Sequence, residues 1–388
     1  MEKIVIVGGG MTGCSIAYYL AKAGITQDVV VIEADPTYEF AATPRSVGGI
    51  RSVFGVKENV EMSLYGFDVF ENFDKFFGAD VGEFHAGFTK QGYMYVVSGE
   101  TGVASLESVH EMQCSAGADV QILDPLEMKA RWPSLNFDDV DAALFSERDG
   151  AVDPHACLHA FRKAALTAGV EFKTDRVVGF NHTGSCVQSA ILASGEVIKS
   201  SYVINATNYW APEVCAMVGM DVPIKPLRRQ TFFFDCRQKI EPIPVIRDPN
   251  GFVIRPEGHG FLTGRTDMEQ IGAINHDLDY SVFDEELWPR LAERCKAFEA
   301  IKVQSGWAGI YDMNTFDGNP IIGPWCGKME NFIVVAGFSG HGLQQGPAIG
   351  RGVTELLLKG RFQTIDLGIF SYQRILDDTP IVDLGPSA

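Results

Sequence analysis

The sequence predicts two architectures in one chain: an α/β part formed by a discontinuous Rossmann-like domain, and an α+β part built on an antiparallel sheet. Three observations carry this. Residues 4–7 (IVIV), a glycine cluster, a helical stretch and residues 29–32 (VVVI) make one strand–helix–strand unit. Residues 223–264 are rich in proline between short strand-like runs, which suits an antiparallel sheet rather than a crossover layer. The last third returns to a strand, a glycine loop and a helix.

The elements follow in order. Residues 4–7 are β-branched and bounded by glycine, as a buried parallel strand requires. Residues 11–23 carry helical periodicity through Ile16, Tyr19, Leu20 and Ala23, and Gly24 closes the helix. Residues 29–32 form the second strand, followed by Glu33. Residues 41–55 are glycine-rich and contain Arg45 and Arg51. Residues 60–77 predict one helix with a broad aromatic face, and residues 93–97 a strand. A helix is predicted over 154–168, and short strands over 170–172, 190–192, 197–198 and 202–206. Residues 231–234 and 251–254 read as antiparallel strands, and 284–298 as an amphipathic helix. A strand at 332–336, a loop at 337–342 and a helix at 349–358 complete the chain, with Gly360 ending the last helix. Because the strand–helix pieces lie at both ends, the expected division is 1–80, 146–215 and 305–388 for the dinucleotide domain, with 81–145 and 216–304 for the substrate domain.

Composition excludes several functions. Of 388 residues, 46% are hydrophobic and 21% charged, enough to bury a large core. Fifty acidic against 32 basic residues leave a net charge of −18, which repels nucleic acid and anionic membrane surfaces. The eight cysteines form no CxxC pair and no zinc spacing, so no metal site is expected. With no signal peptide and no apolar run of spanning length, the expectation is a soluble, cytoplasmic protein with no integral membrane segment.

Gly8, Gly10 and Gly13 fit GxGxxG between the first strand and the first helix, and Glu33 follows 20 residues beyond Gly13. Gly8 permits the tight turn, Gly10 a close approach of backbone to pyrophosphate, and Gly13 close packing of helix on sheet. The helix N-terminus offers N–H groups and a positive dipole end to phosphates, and Glu33 a carboxylate to a ribose hydroxyl. Only one such fingerprint is present, so one dinucleotide is expected, with a small molecule as the other reactant. NAD remains the alternative to FAD on these residues alone.

Three segments together resemble a known family: the fingerprint with Glu33, then residues 45–51 (RSVGGIR), then residues 311–323 (YDMNTFDGNPIIG) with 337–342 (GFSGHG). They are similar to the FAD-dependent D-amino-acid oxidase superfamily, on its sarcosine oxidase and dimethylglycine dehydrogenase side. Within it, residues 337–346 and 360–367 resemble the FAD-dependent oxidoreductase domain-containing proteins linked to complex I assembly. The resemblance implies an FAD-binding Rossmann-like domain with an antiparallel-sheet substrate domain, and hydride transfer from the carbon beside an amine nitrogen to flavin N5. The substrate would be an amino acid or N-methylated amine, and an electron acceptor is the second partner. The rival reading is a flavoprotein that assists assembly of a respiratory complex.

The same resemblance implies the site. Catalytic roles fall on Arg51, His341 and Tyr311, and substrate contacts on Arg51, Arg255 and Tyr311. A guanidinium suits a carboxylate because two parallel N–H bonds fix its orientation. Expected cofactor contacts are Gly8, Gly10, Met11, Thr12, Gly13, Glu33, Arg45, Ser46, Gly48, Gly49, Val177, Gly309, Gly337, Ser339, Gly340, His341, Gly342, Leu343 and Gln344. Sarcosine oxidases carry a lysine where Gln344 stands and a flavin-linking cysteine where Gly309 stands. Dimethylglycine-type enzymes use a histidine in the stretch held here by Arg45 and Ser46. The flavin is therefore expected to be non-covalent. Leu262 stands where sarcosine oxidases place an oxygen-activating lysine, so a dehydrogenase is expected rather than an oxidase.

Overall fold

The computed structural model describes residues 2–78, 82, 84–383 and 385. Its first sheet is centred on β1 (Lys3–Val7), which lies parallel between β2 (Val29–Glu33) and the strand Val197–Asn205. Glu171–Thr174 continues the parallel order beyond β2, and Met329–Ala336 beyond Val197–Asn205. Ile321–Trp325 closes that edge antiparallel, and the hairpin Val177–Thr183 with Cys186–Leu192 pairs with the first part of Val197–Asn205.

Successive side chains on a strand point to opposite faces, so a sheet covered on both sides needs unbroken apolar runs. That is why IVIV and VVVI are strands here. Ile4, Ile6, Val29 and Val31 pack under α1 (Met11–Lys22) and the helices Pro154–Thr167 and Gly342–Lys359. Val5, Val7, Val30 and Ile32 pack on the other side against the hairpin and the short helix Ala211–Ala216.

The second sheet runs in the order Ile301–Asn314, Ile224–Cys236, Gly260–Arg265, Phe252–Glu257, Val245–Arg247, Tyr93–Val97, Ala142–Ser146, Val120–Leu123. It is antiparallel except where Val245–Arg247 lies parallel to Tyr93–Val97. The two longest strands, Ile224–Cys236 and Ile301–Asn314, pair along their whole length. The expected domain limit at residue 305 therefore falls inside a strand. The expected limits at 1, 80, 81 and 388 lie outside the described residues.

Several elements differ from expectation. The helix predicted over 60–77 is two helices, Lys57–Glu71 and Phe73–Phe77. Asn72 separates them, its side-chain amide donating to the Asp68 carbonyl (3.0 Å), a local bond that competes with helix continuation. The stretch 284–298 is a wide π-type turn at Val282–Leu287, a helix at Trp288–Arg294 and a 3₁₀ turn at Lys296–Ala300. Pro289 lacks the N–H an α-helix would use there, and wide turns relieve that conflict. The last long helix begins at Gly342, ahead of residue 349, and Pro347, its sixth residue, lacks the N–H that would bond the Leu343 carbonyl. Helices Gly99–Ser115 and Pro125–Arg131 carry no prior expectation; the second is started by a capping box between Asp124 and Glu127.

Among the described residues no helix is long and apolar enough to cross a membrane, and no group of His, Cys, Asp and Glu is arranged to hold a metal.

Candidate active site

A cavity of about 720 Å³ lies between the two sheets. Its first end is the glycine turn. Gly8 has φ +95°, and a Cβ there would sit 2.6 Å from the Ala206 carbonyl oxygen. A Cβ at Gly13 would lie 1.9 Å from the Gly8 oxygen, so α1 docks on its own turn only because that atom is missing. Gly10 is different: a Cβ there meets nothing within 4 Å, and the residue lines the cavity. Met11 and Thr12 follow it along the wall, and no side chain caps α1. The first-turn N–H groups are thus left for an anion. The Glu33 carboxylate accepts from the Gly9 N–H (2.7 Å) and the Asp35 N–H (2.8 Å) while lining the cavity. Burial raises its pKa, and those two backbone bonds pull it back. Val177 also lines the wall.

The loop after β2 forms the middle, with Arg45, Ser46, Gly48 and Gly49 on the wall. Arg45 donates to the carbonyls of Glu39 (2.7 Å) and Ala308 (3.0 Å), lies over the Phe40 ring, and accepts from the Trp307 indole at its own carbonyl (2.8 Å). It ties this loop to the strand Ile301–Asn314. Gly309 sits against that tie, where a Cβ would come within 3.1 Å of the Arg45 oxygen.

The far end is the inner face of the second sheet. Tyr311 and Arg255 line it, and Arg51 approaches from the loop. Arg255 is buried, its Nε and Nη1 have no partner, and its remaining nitrogen pairs with Glu257. Burial pushes its pKa down to about 10. Arg51 is buried with Nε unpartnered, its guanidinium over the Phe54 ring (4.8 Å). The ring of Tyr311 stands beside Gly340, which lines the cavity with Gly342 and Leu343.

Three residues at this end carry no prior expectation: Tyr93, Arg229 and Arg247. One signal in the sequence bears on them. Arg228 and Arg229 are consecutive on a strand, so they must face opposite ways. Arg228 turns to Gln270 and the Asp277 carbonyl, which sends Arg229 inward.

Other expected contacts lie behind the wall. Gly337 and Phe338 donate their N–H groups to the Asp312 carboxylate (2.6 and 3.2 Å), and the Ser339 N–H bonds the Asp312 carbonyl. Burial raises Asp312 to about 6 against the pull of these donors. The Ser339 hydroxyl accepts from the Asn314 N–H (3.1 Å). His341 is buried edge-on to Phe54 (4.8 Å), and neither ring nitrogen has a partner. Burial, with Arg51 and Arg247 nearby, holds its pKa well below the usual value, so the ring is neutral. Gln344 accepts from the Arg51 N–H (3.0 Å) and donates to the Arg51 carbonyl (3.1 Å) and the Ser63 hydroxyl (3.0 Å). It holds the peptide units that carry Arg51.

A family model described as FAD dependent oxidoreductase (DAO) matches residues 3–356, and the chain belongs to that family. FAD-dependent oxidoreductase domain-containing protein 1 of Bos taurus is 34% identical over 96% of this chain and 84% of its own length. The mitochondrial dimethylglycine dehydrogenase of Rattus norvegicus is 26% identical over 94% of this chain, and the match spans 44% of that longer protein. Among solved structures, L-proline dehydrogenase from P. horikoshii superposes with a TM-score of 0.86 at 27% identity, covering 98% of this chain and 99% of that one.

The chain is thus an FAD-dependent oxidoreductase by family, and its residues fit the cofactor. The space beside Gly10, the uncapped start of α1 and the Glu33 carboxylate suit pyrophosphate and ribose, and the cavity runs on to the second sheet.

Proposed function

We propose that this protein oxidises the C–N bond of a small amine or amino acid and passes the electrons to an acceptor other than oxygen. The observation that carries the reading is the set of buried guanidinium groups, with unpartnered nitrogens, at the end of the cavity away from the glycine turn. A carboxylate is the group such donors fix in a single orientation. The named relatives support the class: dimethylglycine and proline are both acids whose nitrogen carries more than one carbon.

Bound FAD supplies an acceptor for the hydride leaving the carbon next to nitrogen. The substrate loses that hydride and a proton, and water hydrolyses the resulting imine to an amine and a carbonyl compound. Arg51 clamps the substrate carboxylate, and Gln344 keeps Arg51 in place from behind. Tyr311 walls the substrate side, and the neutral, buried His341 keeps this end dry. The Asp312 carboxylate is occupied by backbone N–H groups, so it shapes the 337–339 loop rather than moving a proton. Among the described residues no cysteine or histidine lines the cavity, which supports a non-covalent flavin. Leu262, buried beside its cross-strand partner Arg255, stands where sarcosine oxidases carry an oxygen-activating lysine, which supports a dehydrogenase. All eight cysteines are free, which fits a reducing compartment, and we place the protein in the cytoplasm.

The test is an anaerobic screen of secondary and tertiary amino acids against the yellow holoprotein. Bleaching of the flavin by at least one supports the proposal. No bleaching by any amine would sink it and favour a role in assembling a respiratory complex. Rapid, stoichiometric peroxide release in air would contradict the dehydrogenase assignment alone.

A further inference from the structure

The second sheet gathers positive charge in a way that one carboxylate does not explain. Arg247 stands directly opposite Val253, and Arg255 lies two residues along the same strand, so both side chains leave on one face. Val253 stands opposite Gly264, and Gly264 adjoins Thr231. Arg229, two residues before Thr231, shares that face. Gly264 has no side chain to fill the middle of this row. Arg229, Arg247 and Arg255 therefore border a patch of sheet that carries only Thr231, Val253 and the bare Gly264, and Arg51 reaches the same cavity from the loop.

Beyond the buried Asp149 carboxylate near Arg51 and the Tyr93 hydroxyl bonded to Arg247, little answers this charge. Among the described residues, Arg51, Arg229 and Arg247 form no ion pair, and Arg255 has only Glu257, itself half-exposed. Arg51 Nε, Arg229 Nε, and Arg255 Nε and Nη1 are buried donors without acceptors. Burial lowers the pKa of Arg229, and the charges of Arg247 and Arg51 add to that. Like charges removed from water are costly unless anions accompany them. The molecule as a whole carries −18, so the cluster is a local exception. The anion-binding glycine turn stands on the other sheet, so the cofactor phosphates are answered there.

We propose that this end of the cavity recognises an amine bearing two carboxylates, Arg51 holding the one beside the reacting carbon and Arg229, Arg247 and Arg255 the other. This rests on the amine-oxidation reading above and narrows it to dicarboxylic substrates.

Two measurements on the holoprotein test it. The first is titration of the flavin visible spectrum with glutarate and with butyrate, which differ by one carboxylate. The second is anaerobic flavin reduction by N-methylglutamate and by N-methylalanine. Glutarate is expected to bind at least about tenfold more tightly, the worth of one further charge-assisted contact. N-methylglutamate should bleach the flavin with the larger kcat/KM. In Arg247→Gln and Arg229→Gln, each checked for retained flavin, glutarate should lose most of that advantage while butyrate affinity stays nearly constant. Equal binding of glutarate and butyrate overturns the inference, even if monocarboxylic amines reduce the flavin well. Arginine-dependent preference for glutarate with no bleaching by any amine upholds the dianion site and defeats the amine-oxidation reading instead.

Discussion

Gln344 acts through its neighbour. Its amide satisfies both the N–H and the carbonyl of Arg51, two backbone groups buried away from water. Gln344→Ala leaves both unmatched, at about 1–3 kcal/mol for each. The expected result is a lower denaturation midpoint together with a raised KM for carboxylate substrates, larger than any fall in kcat; denaturant titration and steady-state kinetics read the two effects. Asp149 is a second buried group near Arg51, accepting from the Ser52 N–H (2.7 Å) and from the hydroxyls of Ser52 and Ser146. Burial nonetheless lifts its pKa to about 6. A folded pKa above the unfolded value near 3.8 adds stability that is complete below pH 3.8 and fades as pH rises through 6. Asp149→Asn should flatten this fall in melting temperature between pH 4 and 7, and an unchanged slope would show that Asp149 does not titrate there. Neither role was legible in the sequence. The GFSGHGLQQ string marks a loop that starts a helix, but whether a given side chain faces the cavity or the packing behind it depends on the helix phase, which is set by tertiary contacts.

At the scale of elements, the glycine turn shows how a missing atom specifies a fold. β1, the turn and α1 were legible because three local signals agreed: a β-branched run, the glycine spacing and helical periodicity. Gly13→Ala forces a methyl group onto the Gly8 carbonyl and should displace α1 from the turn. The variant is expected to purify with much less bound flavin, read from its visible absorbance; a normally yellow variant would refute the role given to this contact. The arginines of the second sheet were less legible for a different reason. Arg229, Arg247 and Arg255 sit on three strands, and what unites them is register, since Arg247 meets Val253 and Val253 meets Gly264. The turns joining Val245–Arg247, Phe252–Glu257 and Gly260–Arg265 are short, but Arg229 joins the row only through the pairing of Ile224–Cys236 with Gly260–Arg265, strands far apart in sequence, and such a register leaves no mark in local periodicity. The break at Asn72 and the widened turn before Pro289 escaped for a third reason: the apolar pattern runs through both, while one side-chain amide and one absent N–H decide the geometry.

For the whole molecule, the two sheets form opposite walls of one cavity, and in the proposed reading the cofactor is held by both. The glycine turn and Glu33 belong to the first wall, while Gly309 and Tyr311 belong to the second. Attachment by many weak contacts predicts release on unfolding. Acid precipitation should leave a colourless pellet and a yellow supernatant, and a yellow pellet would reveal a covalent bond. The division into a parallel and an antiparallel part was legible because strands of each kind differ in composition: VVVI is apolar throughout, while residues 223–264 are punctuated by proline.

The first sheet has a consequence for how the protein is made. β1 lies near its middle, yet the strand Met329–Ala336 and the Gln344 amide that pins Arg51 come from the far end of the chain. A ribosome delivering residues in order exposes the glycine turn first and the pieces that enclose it last. Flavin retention is thus expected to await the strand Met329–Ala336 and Gln344, and products truncated ahead of them should purify colourless.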